Sequence, residues 1–561
     1  MSAGIHGGLT SYGDTGFSRF VRSVFLAAAG YDACDTERPV VGVGHSISDY
    51  TPCHREMPGL LEAVRRGVLE AGGLPLVFPT LSLGETLLNP TSMVLRNLLS
   101  LEVEELIRAQ PMDGVVLLGG CDKTVPGQLM GAVSADRPAL EVVAGPMIAG
   151  NWCGERVGAC TDCRRMWARH RAGDMDDDEI GAASEVLAPT GGTCMVMGTA
   201  STMAVLTEVL GLGVPGSATA PAPSGDRLRV GAQSGRRAVE MAAEGLRPGR
   251  ILTRASFLNA AATLGAIGGS TNAVVHLLAL AGRARVDLSL RDLGEAAAAV
   301  PVIVDCRPSG AGFLDDLHDA GGVPALLSEL APHLDLTAAT ALGATLGESL
   351  EGIDGSPPWP SVLRPLGNPL FGGDGLVALF GSLAPDGAVL KASAASAGLL
   401  RHRGPAVVFD GAADVQDRID EVDAGADSVL VLRGCGPVEA GMPEAGSVPI
   451  PRRLAAAGVT DMVRVSDGRM SGTAFGTVVL HVAPEAAGGP LGLVRDGDLI
   501  ELDVHARRLD LLVEAGELER RRAQLLERAP LGGTRWRNLQ ARIIGQASQG
   551  ADIEVKGADA K

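Results

Sequence analysis

Apolar positions in the first two-thirds of the chain alternate between helical and strand-like spacing. In Met57–Ala71 the apolar residues recur every three or four positions, and a Gly-Gly pair follows as a stop signal. The short apolar run Leu74–Phe78 is closed by a proline and predicts a buried strand, Leu101–Ala109 predicts a helix, and Gly114–Leu118 predicts a second buried strand. This alternation predicts an α/β fold class, with an N-terminal domain built on a mainly parallel sheet.

The last third of the chain changes to short apolar or alternating runs that Gly, Pro and Asp separate. These runs are Ala406–Phe409, Ser428–Leu432, Met462–Val465, Thr477–Val482, Leu499–Val504 and Leu509–Val513. Their spacing predicts a β-rich, barrel-like C-terminal domain. The Gly- and Pro-rich region Gly355–Gly375 is the predicted boundary, which gives an N-terminal domain of residues 1–365 and a C-terminal domain of residues 366–561.

Length, charge and hydropathy limit the classes of function. A chain of 561 residues is long enough for two or more domains. Its 48 basic and 66 acidic residues give a net charge of −18, which disfavours nucleic acid and anionic membranes as partners but not a small acid. The segment Met1–Thr15 has no apolar core of a signal peptide, and no apolar run reaches the roughly 18–20 residues of a membrane span. We therefore expect a cytoplasmic protein.

Cysteine usage favours free thiols or metal ligands. The chain has nine cysteines, an odd number without a secretion signal, which disfavours a disulfide framework. Cys121 follows a predicted strand in the segment Gly119–Lys123, while Cys53 and Cys194 each precede a predicted helix. Each alone is explained as well, or better, by a turn or a small buried residue. Together, three such thiols could hold one iron–sulfur cluster and leave an iron position open for Lewis-acid chemistry.

Other polar positions are ambiguous when each is taken alone. The pair Cys160 and Cys163 has the spacing of half a zinc site, but the chain offers no second pair, so a structural role is favoured. Glu85 and Glu444 are isolated carboxylates in Gly-flanked loops, for which a surface charge is the simpler interpretation. Ser471 lies in a polar loop that lacks the GxSxG pattern of a hydrolase nucleophile.

Taken together, these segments resemble the family of dihydroxy-acid dehydratases and sugar-acid dehydratases. The matching stretches, in the order of the family, are Thr51-Pro52-Cys53, Gly119–Pro126, Gly191–Cys194, Gly268–Asn272, Ala384–Ala388, Gly441–Glu444 and Val494–Asp498. They extend over nearly the whole chain. The resemblance therefore implies an α/β domain and a β-barrel domain with the active site in the cleft between them.

Two details of the resemblance concern the substrate. Met470 and Thr473-Ala474 are more similar to the sugar-acid branch, particularly the pentonate dehydratases, than to the branch of amino-acid biosynthesis, which typically has Phe before the serine. His54 is a departure, since many members have Asn after the first cysteine. It leaves the cluster ligand intact and bears on the surroundings of the cluster and on substrate choice.

The resemblance also implies a role for each candidate residue. The cluster ligands would be Cys53, Cys121 and Cys194, holding a 2Fe–2S or 4Fe–4S cluster; the Mg²⁺ ligands would be Glu85, Asp122, Glu444 and Lys123 as a carbamate; the base would be Ser471 as an alkoxide. The implied reaction converts a sugar acid to a 2-keto-3-deoxy acid with loss of water. The implied assembly is a homodimer or homotetramer.

Two alternatives stay open at the level of the sequence. A dihydroxy-acid dehydratase of branched-chain amino-acid biosynthesis would keep the metals and change the pocket. A non-catalytic iron–sulfur redox sensor would need the cysteines but neither the carboxylates nor Ser471. A scaffold or binding protein is disfavoured because so many Gly-flanked polar residues match one catalytic set.

Overall fold

The computed structural model of the protein describes residues 4–9, 11–355, 359, 361–524 and 532–553. Its α-helices are α1 Thr15–Ala28, α2 Met57–Glu70, α3 Met93–Ala109, α4 Cys121–Ala135, α5 Thr161–Ala172, α6 Asp177–Val186, α7 Thr199–Val209, α8 Gly225–Glu244, α9 Pro248–Ile251, α10 Arg254–Ala266, α11 Asn272–Arg283, α12 Leu290–Ala298, α13 Leu314–Asp319, α14 Gly322–Leu330, α15 Leu346–Ser349, α16 Ala412–Arg418, α17 Arg452–Ala456, α18 Ala515–Ala523 and α19 Arg535–Ile543. Short 3₁₀ helices span Gly4–His6, Ser11–Gly13, Asp35–Glu37, Pro52–His54, Glu85–Leu87, Ala331–His333, Ala392–Ala394, Ala397–Leu399, Pro490–Leu493 and Ala547–Gln549.

A parallel sheet of four strands forms the centre of the N-terminal domain. Its strands are β1 Val40–His45, β2 Leu74–Pro79, β3 Gly114–Gly119 and β4 Ala139–Val143, in the order β2-β1-β3-β4. Every neighbouring pair is parallel. The predicted α/β class with a mainly parallel sheet is therefore confirmed.

Helices cover both faces of this sheet because successive side chains of a strand point to opposite sides. On one face Val41 and Val43 pack in the same buried cluster as Val64 of α2. On the other face Val40 packs with Leu99 of α3. Helix α7 is buried along its whole length, which agrees with the apolar sequence around it. Helix α1 is not among the elements that hydrophobic spacing predicted.

The remaining strands form a small hairpin and the C-terminal sheet. The hairpin pairs β5 Gly150–Trp152 with β6 Glu155–Val157; the C-terminal strands are β7 Val377–Leu379, β8 Gly387–Leu390, β9 Arg401–Asp410, β10 Val429–Arg433, β11 Arg464–Ser466, β12 Val478–Ala483, β13 Leu499–Asp503 and β14 Arg508–Leu511. All six runs predicted in this part of the sequence overlap strands β9 to β14.

The C-terminal sheet curls until its two edge strands meet. Its order is β14-β13-β9-β10-β11-β12-β8-β7, with β9 to β12 parallel to their neighbours in that series. Phe380, directly after β7, bridges to Arg508 of β14, and the Phe380 amide donates to the Arg507 carbonyl at 3.0 Å. The predicted barrel-like C-terminal domain is thus confirmed, and its apolar interior includes Val408, Val431 and Val479.

The end of the chain returns to the N-terminal domain. The buried Arg96 of α3 donates to the carbonyl oxygens of Gly550 and Ala551, and Arg283 of α11 forms an ion pair with Asp552 at 2.6 Å. These contacts fix the two domains against each other. Within the described ranges, no helix combines the length and the apolar character that crossing a membrane requires.

Candidate active site

Cys121 stands where strand β3 turns into helix α4. Its φ of 64° lies in the left-handed region, which a non-glycine residue rarely adopts. The preceding Gly120 is required by close packing, since a Cβ there would lie 2.8 Å from Cδ2 of His54 and 2.8 Å from Cβ of Ala144. The turn therefore places the Cys121 thiol at the start of α4, at the carboxyl edge of the sheet, where ligands bind in open α/β sheets.

Cys53 and Cys194 approach Cys121 from two other loops. Cys53 lies in the 3₁₀ helix Pro52–His54, and its thiol is within hydrogen-bonding reach of the Cys121 thiol. That contact, together with burial, raises the pKa of Cys121 well above its usual value. Cys194 comes directly after Thr193, whose amide donates to the Gly145 carbonyl at 2.8 Å and so holds this loop beside the end of β4. The Cys194 thiol lies within electrostatic range of Cys53. The structure therefore brings the three predicted thiols together.

A fourth thiol joins them that the sequence did not assign to the site. Sγ of Cys160 lies 3.2 Å from Sγ of Cys194. The hydrogen bond between them lowers the pKa of Cys160 and raises that of Cys194 well above its usual value. The C-x-x-C spacing had paired Cys160 with Cys163, but Cys163 is exposed on α5. Only the fold reveals that the nearer partner is 34 positions away.

Three carboxylates from separate segments converge beside the thiols. Glu85 begins the 3₁₀ helix after β2, Asp122 lies in the first turn of α4, and Glu444 comes from a loop of the barrel. One oxygen of each lies within 4.8 Å of the others. Oxygen ligands of an octahedral Mg²⁺ are about 2.9 to 4.2 Å apart at bond lengths of about 2.1 Å, so a small contraction would fit the cation.

Lys123 is fully buried beside these carboxylates. Its Nζ donates to Asp122 at 2.7 Å. Burial alone would raise the pKa of Asp122, but the cations of Lys123 and Arg469 outweigh it and hold the pKa below the usual value. Asp122 is therefore ionised at neutral pH and available as a ligand.

Arg469 links the carboxylates and was not among the predicted site residues. Its guanidinium lies 2.6 Å from Glu85, 2.5 Å from Glu444 and 3.7 Å from Asp122, at a relative exposure of 1%. Burial opposes its charge, but the three carboxylates outweigh burial and raise the pKa of Arg469 above its usual value. For Glu444 burial dominates over the attraction of Arg469 and raises the pKa. An arginine inside a Gly-containing loop was the one sequence signal for this group.

Ser471 follows Arg469 by two residues and is half-buried. Its Oγ lies 2.8 Å from Oγ1 of Thr473. The N-terminal domain holds the loop on both sides: Asn272 donates to the Met470 carbonyl at 3.1 Å, and Thr161 donates to the Thr473 carbonyl at 3.2 Å. Ser471 of the barrel domain therefore lies in the cleft, where these two hydrogen bonds from the N-terminal domain hold its loop in position.

Two buried histidines near the cations are neutral. Burial, reinforced by the charges of Arg469 and Lys123, lowers the pKa of His481 to about 3. Burial and the adjacent Arg96 guanidinium, whose Nη1 lies 3.0 Å from Nδ1 of His276, lower the pKa of His276 well below its usual value. Neither histidine adds positive charge to the site at neutral pH.

The donor set fits two different kinds of metal group. Thiols are the ligands of iron–sulfur clusters, and carboxylate oxygens are those of Mg²⁺. Cys121 and Asp122 are adjacent in sequence, and the Cys121 thiol lies 3.4 Å from a carboxylate oxygen of Asp122. The same site can therefore hold an iron–sulfur cluster on its thiols and Mg²⁺ on its carboxylates, close enough for one small substrate to contact both.

Comparison with known proteins covers nearly the whole chain. The family model described as dihydroxy-acid/6-phosphogluconate dehydratase N-terminal matches residues 38–349, and its C-terminal counterpart matches residues 361–551. An L-arabinonate dehydratase of Rhizobium leguminosarum bv. trifolii is 44% identical over 97% of this chain and 95% of its own. A 6-deoxy-6-sulfo-D-gluconate dehydratase of Pseudomonas putida is 44% identical over 92% and 90%. A dihydroxy-acid dehydratase of Carboxydothermus hydrogenoformans is 37% identical over 91% and 93%.

Proposed function

This chain belongs to the dihydroxy-acid/6-phosphogluconate dehydratase family, and on that premise we propose that it is a hydro-lyase that converts a sugar acid (an aldonate) to a 2-keto-3-deoxy sugar acid. The resemblance read from the motifs is confirmed at the level of the family. The observation that carries the proposal is the adjacency of a thiol cluster and a carboxylate cluster, joined at Cys121 and Asp122.

The residues divide by the group that each would hold. Cys53, Cys121 and Cys194 would bind an iron–sulfur cluster, while Glu85, Asp122 and Glu444 would bind Mg²⁺. When bound, these groups would supply a Lewis-acidic iron for the departing C3 hydroxide and a cation for the substrate carboxylate and C2 hydroxyl. The thiols and the carboxylates lie side by side, since Cys121 and Asp122 are adjacent residues.

Lys123 poses a problem of charge that carbamylation resolves. An ammonium has three donors and no acceptor, so it cannot bind a metal cation. Reaction of the neutral amine with CO₂ forms an N–C bond, releases one proton and leaves an anionic oxygen ligand. Lys123 is fully buried and its ammonium now pairs with Asp122. Once Mg²⁺ took over as the partner of Asp122, the buried carbamate would be stabilised by the same cation.

Ser471 is the proposed base that removes the C2 proton. An ordinary serine hydroxyl is far too weak an acid to ionise at neutral pH, so the alkoxide needs a nearby cation and a hydrogen-bond donor. The Thr473 hydroxyl lies 2.8 Å from Oγ of Ser471 and can be that donor. Arg469 holds the same loop against Glu85 and Glu444. Loss of the C2 proton and the C3 hydroxide gives an enol, which tautomerises to the 2-keto acid.

The choice of a sugar acid rests on two observations. Relatives named for L-arabinonate and 6-deoxy-6-sulfo-D-gluconate are 44% identical to this chain, against 37% for a dihydroxy-acid dehydratase. The Met470 and Thr473-Ala474 positions also resemble the sugar-acid branch. The second candidate is the branched dihydroxy acid of amino-acid biosynthesis, which the same metal ligands would serve. We place the enzyme in the cytoplasm, where its free thiols stay reduced.

A pair of variants distinguishes a dehydratase from an iron–sulfur redox protein. Ser471→Ala should keep the visible spectrum of the cluster and lose 2-keto acid formation, since only the base is removed. Cys121→Ser should lose both the spectrum and the activity. Ser396→Ala, an exposed serine of the same domain, is the matched control and should retain both. Full activity of Ser471→Ala would refute the base, and an active, iron-free Cys121→Ser would refute the iron–sulfur mechanism.

A further inference from the structure

Arg164 of helix α5 is a half-buried cation without a partner. Its Nε is buried and has no hydrogen-bond acceptor among the residues that the structure describes. The neighbouring Arg165 pairs with Glu155 and with Asp162, each at 2.9 Å, whereas Arg164 forms no ion pair within the described ranges. A buried donor without an acceptor is destabilising and rare in native proteins, which indicates that its acceptor arrives with a ligand.

The start of α5 is anchored to both domains, so the backbone of Arg164 is held in place. The buried Asp162, in the first turn of the helix, forms an ion pair with Arg307 of the N-terminal domain. Thr161 donates to the Thr473 carbonyl at 3.2 Å, in the loop that carries the proposed base. Arg164 therefore follows, by less than one helical turn, a contact with the active-site loop of the barrel.

Arg164 lies on the face of α5 that borders the thiols. Its amide donates to the Cys160 carbonyl at 3.2 Å, one helical turn earlier, so the two side chains share a face of the helix. Sγ of Cys160 lies 3.2 Å from Sγ of Cys194. The Cys160 thiol is within electrostatic range of Arg164 and also of Asp122. The Arg164 guanidinium therefore stands beside the thiols of the candidate site.

The other groups of the site do not use the positive charge of Arg164. The three carboxylates share the guanidinium of Arg469, as described for Glu85, Asp122 and Glu444. In the proposed function they also bind Mg²⁺, which holds the carboxylate of the substrate. A second anion in the substrate would need a cation of its own, and Arg164 is available for that purpose.

We propose that Arg164 selects substrates that carry a second anionic group at the end remote from the reacting carboxylate. This inference rests on the proposed function, in which C2 and C3 of the sugar acid lie at the metal groups and the rest of its carbon chain extends past them. A guanidinium offers parallel N–H donors that match two oxygens of a carboxylate or of a phosphate. The preferred substrate class is therefore a sugar acid with a carboxylate or a phosphate at its far end.

The test compares each sugar acid with its own doubly acidic derivatives, on the full-length enzyme loaded with cluster and Mg²⁺ in the absence of oxygen. Pentonic and hexonic acids end in a neutral hydroxymethyl group. Their terminally oxidised dicarboxylates and their terminal phosphates add an anion at that end, and the two series distinguish a carboxylate from a phosphate.

Two variants of Arg164 separate charge from geometry. Arg164→Gln removes the charge, while Arg164→Lys keeps the charge and loses the paired donors. Arg169→Gln, at an exposed arginine of the same helix, is the matched control. Calorimetry on Ser471→Ala, with and without Arg164→Gln, measures binding of the same acids apart from turnover.

We expect the wild-type kcat/KM to be about tenfold higher or more for a doubly acidic derivative than for its parent acid, the scale of one charge-assisted hydrogen bond. Arg164→Gln should lower the kcat/KM of the derivative about ten- to a hundredfold, mainly through KM, and change that of the parent acid little. Arg164→Lys should lie between the two, and Arg169→Gln should equal wild type. The affinities measured by calorimetry should show the same loss.

The contrary outcomes separate this inference from the proposed function. Equal losses for both members of a pair would show that Arg164 only supports the fold, and would overturn the inference. A wild type that turns over the parent acids in preference to their doubly acidic derivatives would also overturn it. Both outcomes would leave the proposed dehydratase intact. Turnover of 2,3-dihydroxyisovalerate alone would instead refute the sugar acid and, with it, the inference.

Discussion

Arg469 of the barrel domain and Glu85 of the N-terminal domain form an ion pair 2.6 Å long in the cleft between the domains. The same guanidinium contacts Glu444 at 2.5 Å and also donates to the Met442 carbonyl at 2.7 Å. One buried arginine therefore connects the loop of the proposed base to carboxylates from both halves of the molecule. It occupies the neighbourhood in which Mg²⁺ is proposed to bind, so the two cations must share the negative charge of the cluster.

Replacing Arg469 should destabilise the metal-free protein. In Arg469→Met the carboxylates lose their principal cation while they stay buried, and breaking such a buried pair costs about 3 to 5 kcal/mol. Denaturant unfolding measures the loss, which should be smaller with saturating Mg²⁺ because the metal replaces part of the charge. Arg495→Met, at an exposed ion pair with Glu517, is the control and should change the free energy of unfolding by less than about 1 kcal/mol. Equal stability of the two variants would contradict the role given to Arg469.

Lys123 should carry the carbamate. The chain has only four lysines, at positions 123, 391, 556 and 561, so ¹³C spectra are simple to assign. Protein equilibrated with ¹³C-bicarbonate and Mg²⁺ should show one carbamate resonance that Lys123→Met lacks. That variant should also bind Mg²⁺ about tenfold more weakly or worse, because one oxygen ligand is gone. A resonance that persists in Lys123→Met and disappears in Lys391→Met would show that Lys391, not Lys123, carries the carbamate.

Lys391 should limit stability at neutral pH. Its Nζ is buried and has no hydrogen-bond partner among the residues that the structure describes, and burial lowers the pKa to about 7 from its ordinary value of 10.5. Because the unfolded chain binds this proton more tightly, the stabilisation is full above pH 10.5 and is lost as the pH falls towards 7. At pH 8 the cost is about 3 kcal/mol at most.

Lys391→Met removes that cost with a side chain of similar length. We expect the free energy of unfolding to rise by roughly 2 to 3 kcal/mol at pH 8, with a smaller gain at pH 10. Denaturant unfolding across this pH range checks the slope. A variant that is less stable than wild type at pH 8 would mean that the Lys391 ammonium has a partner that compensates its burial.

The exposed apolar face of α1 fits contact with a second copy of the chain. Phe17, Phe20, Val24 and Phe25 are 49%, 62%, 48% and 71% exposed, an apolar patch that is unusual for a monomer. Light scattering should find a dimer or tetramer, and Phe20→Ser with Phe25→Ser should lower the mass. Leu539→Ser, at a lone exposed leucine of α19, should leave the mass unchanged. A monomeric wild type would refute the expected homo-oligomer.

Hydrophobic spacing predicted the fold well because each strand carries its own signal. The runs Leu74–Phe78 and Thr477–Val482 overlap strands β2 and β12 to within one residue at each end. Helix α1 was not predicted, although Phe17, Phe20 and Val24 recur at the three- and four-residue spacing of a helix. The spacing indicates an amphipathic helix but does not indicate which surface its apolar face contacts.

The site was only partly accessible to sequence reasoning. Cys53, Cys121 and Cys194 could be proposed because motif context marks each of them. Arg469 and Cys160 join the site through contacts with residues distant in the chain, 384 positions in the case of Glu85 and Arg469 and 34 in the case of Cys160 and Cys194. The C-x-x-C spacing suggested a different neighbour for Cys160. Such contacts depend on how separate loops pack and, for Arg469, on how the barrel docks on the α/β domain, which no local pattern encodes.

The central claim is that this cleft dehydrates a sugar acid. The most direct measurement is a substrate panel on protein purified without oxygen and supplied with Mg²⁺, with 2-keto acid formation as the readout. The panel contains pentonic and hexonic acids beside 2,3-dihydroxyisovalerate. The account predicts turnover of one or more sugar acids and little or none of the branched acid. Turnover of the branched acid alone would contradict it and would move the protein to amino-acid biosynthesis.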